Sequence, residues 1–154
     1  MELPMDLRQA QQGDLDRLVA GNRALAAETE GLELPLEALR AGVAAVLADR
    51  TLGRYRVAQM DSEVVGQLLT TSEWSDWRAK TIWWIQSVYV WPEARGRGVF
   101  RELYRMVREE ALETGVGGLR LYVDTRNTAA METYRRVGMN GDHYRVFETI
   151  FSQR

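Results

Sequence analysis

Cysteine is absent from the 154-residue chain. Its absence excludes disulfides, cysteine-zinc sites, thiolate nucleophiles and any S-acyl enzyme intermediate. Histidine occurs once, as His143, so a multi-histidine metal site is impossible and a Ser-His-Asp triad would have to use that residue. Lysine also occurs once, as Lys80; the other nineteen of the 20 basic residues are arginine. Neither sign of charge prevails, with 22 acidic residues and a net charge of −2, so no basic excess points to nucleic acid. No apolar run approaches the roughly 18–20 residues of a membrane span. The opening Met1-Glu2-Leu3-Pro4-Met5-Asp6 lacks the basic-then-apolar order of a signal peptide. A cytoplasmic protein without membrane or nucleic-acid partners is expected. No segment is low in complexity, and no repeat of 20–50 residues appears.

What is present is a balanced globular composition, 45% apolar, 27% charged and 9% aromatic. At this length one domain over residues 1–154 is expected, burying roughly two thirds of its unfolded surface. Met5 to Gln9 reads as a short strand. From Asp14, a good helix N-cap, Leu15, Leu18, Val19, Asn22, Leu25 and Ala26 share one helical face. The acidic connector Glu28-Thr29-Glu30-Gly31-Leu32-Glu33 leads to a second amphipathic helix, in whose first turn Pro35 fits. Arg54–Met60 and Val64–Thr70 read as a hairpin about Asp61-Ser62. Ile82–Val90, apolar at nearly every position, reads as a central strand covered on both faces. Val99–Glu113 is the strongest helix, followed by a strand over Leu119–Asp124, a short helix over Thr128–Val137 stopped by Gly138, and a last strand over Tyr144–Phe151. The order β-α-α-β-β-β-α-β-α-β, with a short extra strand near Met139, implies an α/β (α+β) fold. Its mixed sheet would have six to seven strands flanked by four helices.

The chemistry is concentrated in Val88-Tyr89-Val90-Trp91-Pro92-Glu93-Ala94-Arg95-Gly96-Arg97-Gly98-Val99-Phe100, which joins the central strand to the strongest helix. Two glycines before a helix N-terminus aim several backbone N–H groups, and the positive end of the helix dipole, at one point. From Pro92 to Arg108, five arginines face two glutamates, a local balance of 5 − 2 = +3 in an acidic protein. A pyrophosphate is the natural guest, or else the loop is simply a tight turn that needs glycine. The dinucleotide fingerprint fails at Arg101, where a third glycine is required, and the Walker loop fails at Val99-Phe100.

These residues resemble a known family. Strand, Arg95-Gly96-Arg97-Gly98 and long helix look like the acyl-CoA loop (R/Q-x-x-G-x-G/A) of the GCN5-related N-acetyltransferases. A second block agrees: Leu121-Tyr122-Val123-Asp124, Asn127, Ala130, Tyr134 and Gly138-Met139 are similar to that family's strand, helix and turn. One position departs. Phe100 stands where Gly or Ala is usual, and its ring either crowds the diphosphate or packs under the helix.

The resemblance implies acetyl-CoA in a cleft between splayed central strands. Backbone groups of Val88 and Val90 would pair with the pantetheine arm, and amides from Arg95 through Gly96, Arg97, Gly98 and Val99 to Phe100 would hold the diphosphate. An N–H near Tyr89 or Val90 would face the thioester oxygen, where a fixed donor stabilises developing charge. Asn127 matches a cofactor contact and is equally suited to cap the helix at Thr128. Tyr134 is the implied general acid, a phenol able to protonate the leaving thiolate. The base is open, because the central strand offers Gln86 and Ser87 rather than a carboxylate. Glu28 and Glu30 (with Glu33) are candidates for base or acceptor binding, or form an ordinary solvated loop. Glu73, Trp74, Asp76 and Trp77 form an aromatic-acidic hairpin tip that would cage a cation or meet a second copy. His143 is more often structural than basic in such a position. The implied activity is direct transfer of acetyl to a primary amine, on a small molecule or a peptide, in a ternary complex. The alternative is a non-catalytic acyl-CoA-binding or sensing domain. No metal is implied, and a homodimer is a possible assembly.

Overall fold

A computed structural model describes residues 4–151. The chain forms two compact units, residues 1–121 and residues 122–154. The first holds a mixed sheet of β1 (Asp6–Gln9), β2 (Arg54–Met60), β3 (Glu63–Ser75), β4 (Lys80–Val90) and β5 (Gly118–Arg120), in that spatial order. The first three pairings are antiparallel and β4–β5 is parallel. That last pairing needs a crossover, supplied by α3 (Val99–Glu113). α1 (Leu15–Glu30) and α2 (Leu36–Ala48) complete this unit.

Neighbouring residues of β2 show how the layers are built. Successive side chains on a strand point to opposite faces. Tyr55 therefore joins Leu18, Val19, Val43, Val57, Val64 and Leu69 in the core under α1 and α2. Arg56 points the other way, fully buried, with Nη2 2.6 Å from Glu110 of α3 and Nη1 2.7 Å from the Thr70 hydroxyl. Leu18, Val57, Leu68, Leu103 and Val107 are wholly buried. Each such side chain contributes about 1.5–3 kcal/mol.

The α3 boundaries coincide with the predicted ones, and β1 to β4 fall where strands were expected. Two expectations are corrected. The strand expected over Leu119–Asp124 is only Gly118–Arg120, and the sheet has five strands rather than six to seven, because neither the predicted last strand, Tyr144–Phe151, nor the short one near Met139 joins a ladder among the described residues. A strand exists only through hydrogen bonds to a neighbour, and alternation of apolar residues does not supply one. Trp74 and Trp77 lie at the β3–β4 hairpin tip, 66% and 90% exposed.

Asp14 caps α1 in an unexpected way. Its carboxylate does not bond the helix; it accepts both Nη1 (2.8 Å) and Nη2 (3.0 Å) of Arg8 and the Gln11 N–H (2.7 Å). The Arg8 bonds hold the Asp14 carboxyl below its ordinary value. A depressed folded-state pKa stabilises the fold above the unfolded value of about 3.9 and is lost as pH falls through the folded value. Asp14→Asn should therefore cost about 1–2 kcal/mol at pH 7 and much less near pH 2, measurable as converging thermal unfolding curves.

Candidate active site

In β4 the C-terminal half has two different edges. Toward β3 it is paired, with Gly66 opposite Val90 and the Trp91 N–H bonded to the Val65 carbonyl at 2.9 Å. Toward β5 the ladder holds only Ile82, Trp83 and Trp84, and among the described residues none of Ile85–Val90 is paired there. Because Gly66 and Val90 form a non-hydrogen-bonded pair, the N–H and C=O of Val90 turn to that second edge.

The loop that follows makes a 3-10 turn over Pro92–Ala94 and then two left-handed steps, Gly96 at φ +78° and Gly98 at φ +77°. A side chain strains at either angle, which is why glycine stands at both. Residues 95–98 are exposed, and a Cβ on Gly96 or Gly98 would meet no atom within 4 Å. The first bond of α3 runs from the Glu102 N–H to the Gly98 carbonyl, so the amides before Glu102 lie outside the helix's own ladder. Val99 and Phe100 are buried. The Val99 side chain presses on β3 where only glycine fits: a Cβ on Gly66 would stand 2.4 Å from Val99 Cγ1. The Phe100 side chain is buried, its ring 6.0 Å from that of Tyr104 one turn along the helix.

Arg95 folds back along the open edge. Its Nε donates to the Val90 carbonyl at 2.9 Å, its Nη2 pairs with Glu28 at 3.0 Å, and its guanidinium lies 5.5 Å from the Tyr89 ring centre. Burial first, and the neighbouring Glu28 carboxylate next, push the Tyr89 hydroxyl above its ordinary value. Farther along α3, Arg105 is offset by Glu102 and Glu109. Arg97 and Arg101 remain exposed beside the loop. The structure thus joins Glu28, Tyr89, Val90 and Arg95 in one cluster. Glu30 is exposed at the end of α1 and belongs to no such set. Gln86 donates to Thr71 at 2.6 Å, and Glu73 is turned back to Trp84 and Arg120, both at 2.9 Å.

In the second unit, α4 (Thr128–Arg136) is capped by the Asn127 side chain, which accepts the Ala130 N–H at 3.1 Å. Gly138 closes the helix at φ +96°. Tyr134 is half-buried, and burial raises its phenol above the ordinary value. Arg126 bonds pull Asp124 down to about 2. His143 is exposed beside Tyr144. Among the described residues, no group of three or more His, Asp or Glu side chains is placed to hold a metal ion, and no helix is long and apolar enough to cross a membrane.

Residues 24–139 match the Acetyltransferase (GNAT) family. The chain belongs to that family. It is 31% identical over 145 residues to an aminoalkylphosphonate N-acetyltransferase of Salmonella typhimurium, covering 94% of this chain and 91% of that one. A possible acetyltransferase from Clostridium difficile 630 has the same fold, with TM-score 0.89 and 38% identity over 99% of this chain and 100% of that one. An aminoglycoside N-acetyltransferase solved in complex with CoA aligns with TM-score 0.78 and 18% identity over 99% and 98% of the two chains, a likeness of fold alone. The GNAT match spans every residue discussed from Glu28 to Tyr134.

One feature of this GNAT-family site escaped the sequence reading. Between the pairs Gln67–Tyr89 and Leu69–Gln86, β4 has one more residue than β3, and Ser87 within that bulge adopts φ +52°. A serine in an apolar run gives no warning of a left-handed residue. Asn22 was the available signal, a polar side chain on a stripe that is otherwise apolar.

Proposed function

We propose that the protein transfers the acetyl group of acetyl-CoA to the primary amine of a small molecule by direct attack in a ternary complex. The observation that carries this is the open loop at residues 95–98, with two left-handed glycines at the head of α3 and next to the unpaired edge of β4. The Arg95 N–H is bonded to the Pro92 carbonyl at 3.3 Å, so amides from Gly96 to Phe100 would hold the diphosphate, helped by the helix dipole. The outward C=O and N–H of Val90, with the backbone of Val88, would take the amide groups of the pantetheine arm. For the first of these, the Arg95 side chain must leave the Val90 carbonyl. Burial of the Phe100 side chain supports a ring that packs under the helix and leaves the diphosphate its place.

In the reaction the amine nitrogen adds to the thioester carbon, the carbon–sulfur bond breaks, and the sulfur leaves as a thiolate. Tyr134 supplies the proton to that sulfur, and the proton shed by the new amide nitrogen restores the phenol. The acceptor ammonium must lose its proton before it attacks, and we assign Glu28 and Glu30, both exposed in the last turn of α1, to attracting it and relaying that proton through water. Asn127 serves first as the cap of α4. A small-molecule acceptor is favoured by the relative that acts on aminoalkylphosphonates and matches nearly the whole chain. The test is thiol release from acetyl-CoA with a panel of aminoalkylphosphonates, amino acids, polyamines and peptides. Turnover with at least one small amine is expected. Tight CoA binding without turnover on any acceptor would instead establish a sensing domain.

A further inference from the structure

Three elements converge beneath the β4 bulge. Gln67 of β3 is fully buried and donates Nε2 to the Ser87 carbonyl at 3.2 Å. Tyr55 of β2, 5% exposed, accepts Asn22 Nδ2 of α1 at 3.1 Å, and the neighbouring Ser87 side chain partly offsets the rise that burial gives its phenol. Asn22 is anchored in turn on the Leu18 carbonyl at 3.0 Å. The arrangement carries two costs. Ser87 sits at φ +52°, an unfavourable backbone conformation for an L residue. Gln67 Oε1 is buried with no hydrogen-bond partner, and α1 crowds it so closely that a Cβ on Gly21 would come within 2.1 Å. A leucine of similar size would remove the orphaned oxygen but would also take the Gln67 donor from the Ser87 carbonyl.

That donor orients a peptide unit. The Ser87–Val88 peptide is trans and planar, so its C=O and N–H point in opposite directions. Gln67, by gripping the Ser87 carbonyl, fixes the Val88 N–H to point away from the Gln67 amide. We infer that Gln67, with Tyr55 and Asn22 behind Ser87, is a positioning residue that aims the Val88 N–H at the thioester oxygen. This rests on the acetyl-transfer reading, and it moves the donor from the neighbourhood of Tyr89 and Val90 to Val88. A donor held before the substrate arrives needs no reorganisation as charge develops on that oxygen.

Gln67→Leu tests the assignment, with Tyr55→Phe as the second variant should leucine prevent folding. Two readouts are taken beside thermal stability and CoA affinity: kcat at saturating acetyl-CoA, and the infrared carbonyl band of bound acetyl-CoA labelled with carbon-13 at the thioester. Either variant is expected to bind CoA as the unmodified protein does, to lose at least tenfold in kcat, and to show the band at higher frequency. A merely structural role would not move the band. Unchanged kcat and band in a folded variant would overturn the assignment while leaving acetyl transfer intact. Failure of the unmodified protein to bind acetyl-CoA would overturn the acetyl-transfer reading and the assignment with it.

Discussion

Gly98→Val is expected to weaken CoA binding at least tenfold, more than 1 kcal/mol, in a protein that still folds. A Cβ at Gly98 meets no protein atom within 4 Å. The effect of the substitution comes instead from the backbone. Gly98 sits at φ +77°, a conformation that a β-branched residue resists, and relaxing it turns the amides at the head of α3 away from their common point. The added methyl groups also occupy the space through which a diphosphate would approach. Calorimetric titration of CoA against both proteins measures the loss, and circular dichroism verifies the fold. Unchanged affinity would place the diphosphate elsewhere.

Tyr134→Phe is expected to lower kcat by roughly 10²–10³ with little change in CoA affinity, the signature of a group that acts on the leaving thiolate and not in binding. Burial raises this phenol above its ordinary value of about 10, so the acid form persists throughout the neutral range. The sign follows directly: kcat of the unmodified enzyme should fall on the alkaline side only above the ordinary tyrosine range, and the residual rate of the phenylalanine variant should lack that fall. Stopped-time thiol release between pH 7 and 11 measures both. A variant with full kcat would remove Tyr134 from the chemistry.

Much of the fold was legible because its signals are local. Gly98 and the apolar stripe Phe100, Leu103, Val107 and Ala111 delimit α3 to the residue, and all four are buried. Gly138 ends α4 by the same local logic. The sheet beyond β4 was less legible because pairing is decided between segments. Leu119–Asp124 has the composition of a six-residue strand, yet only Gly118–Arg120 finds partners on β4. The candidate site divides in the same way. Its loop could be read from glycine spacing and a following helix. The bond between Glu28 and Arg95, 67 residues apart, could not, and it changes how Glu28 is understood: its carboxylate is already paired with a guanidinium. Glu30 is exposed and, among the described residues, makes no such pair. Substituting Glu30→Gln should therefore raise KM for the amine more than it lowers CoA affinity, a difference that steady-state kinetics resolves.

The most direct measurement is a crystal structure with CoA bound. The expected result places the two linked phosphates within hydrogen-bond reach of main-chain N–H groups between residues 96 and 101, with the Arg95 side chain displaced from the Val90 carbonyl. Phosphates held by side chains elsewhere, with this loop untouched, would contradict it.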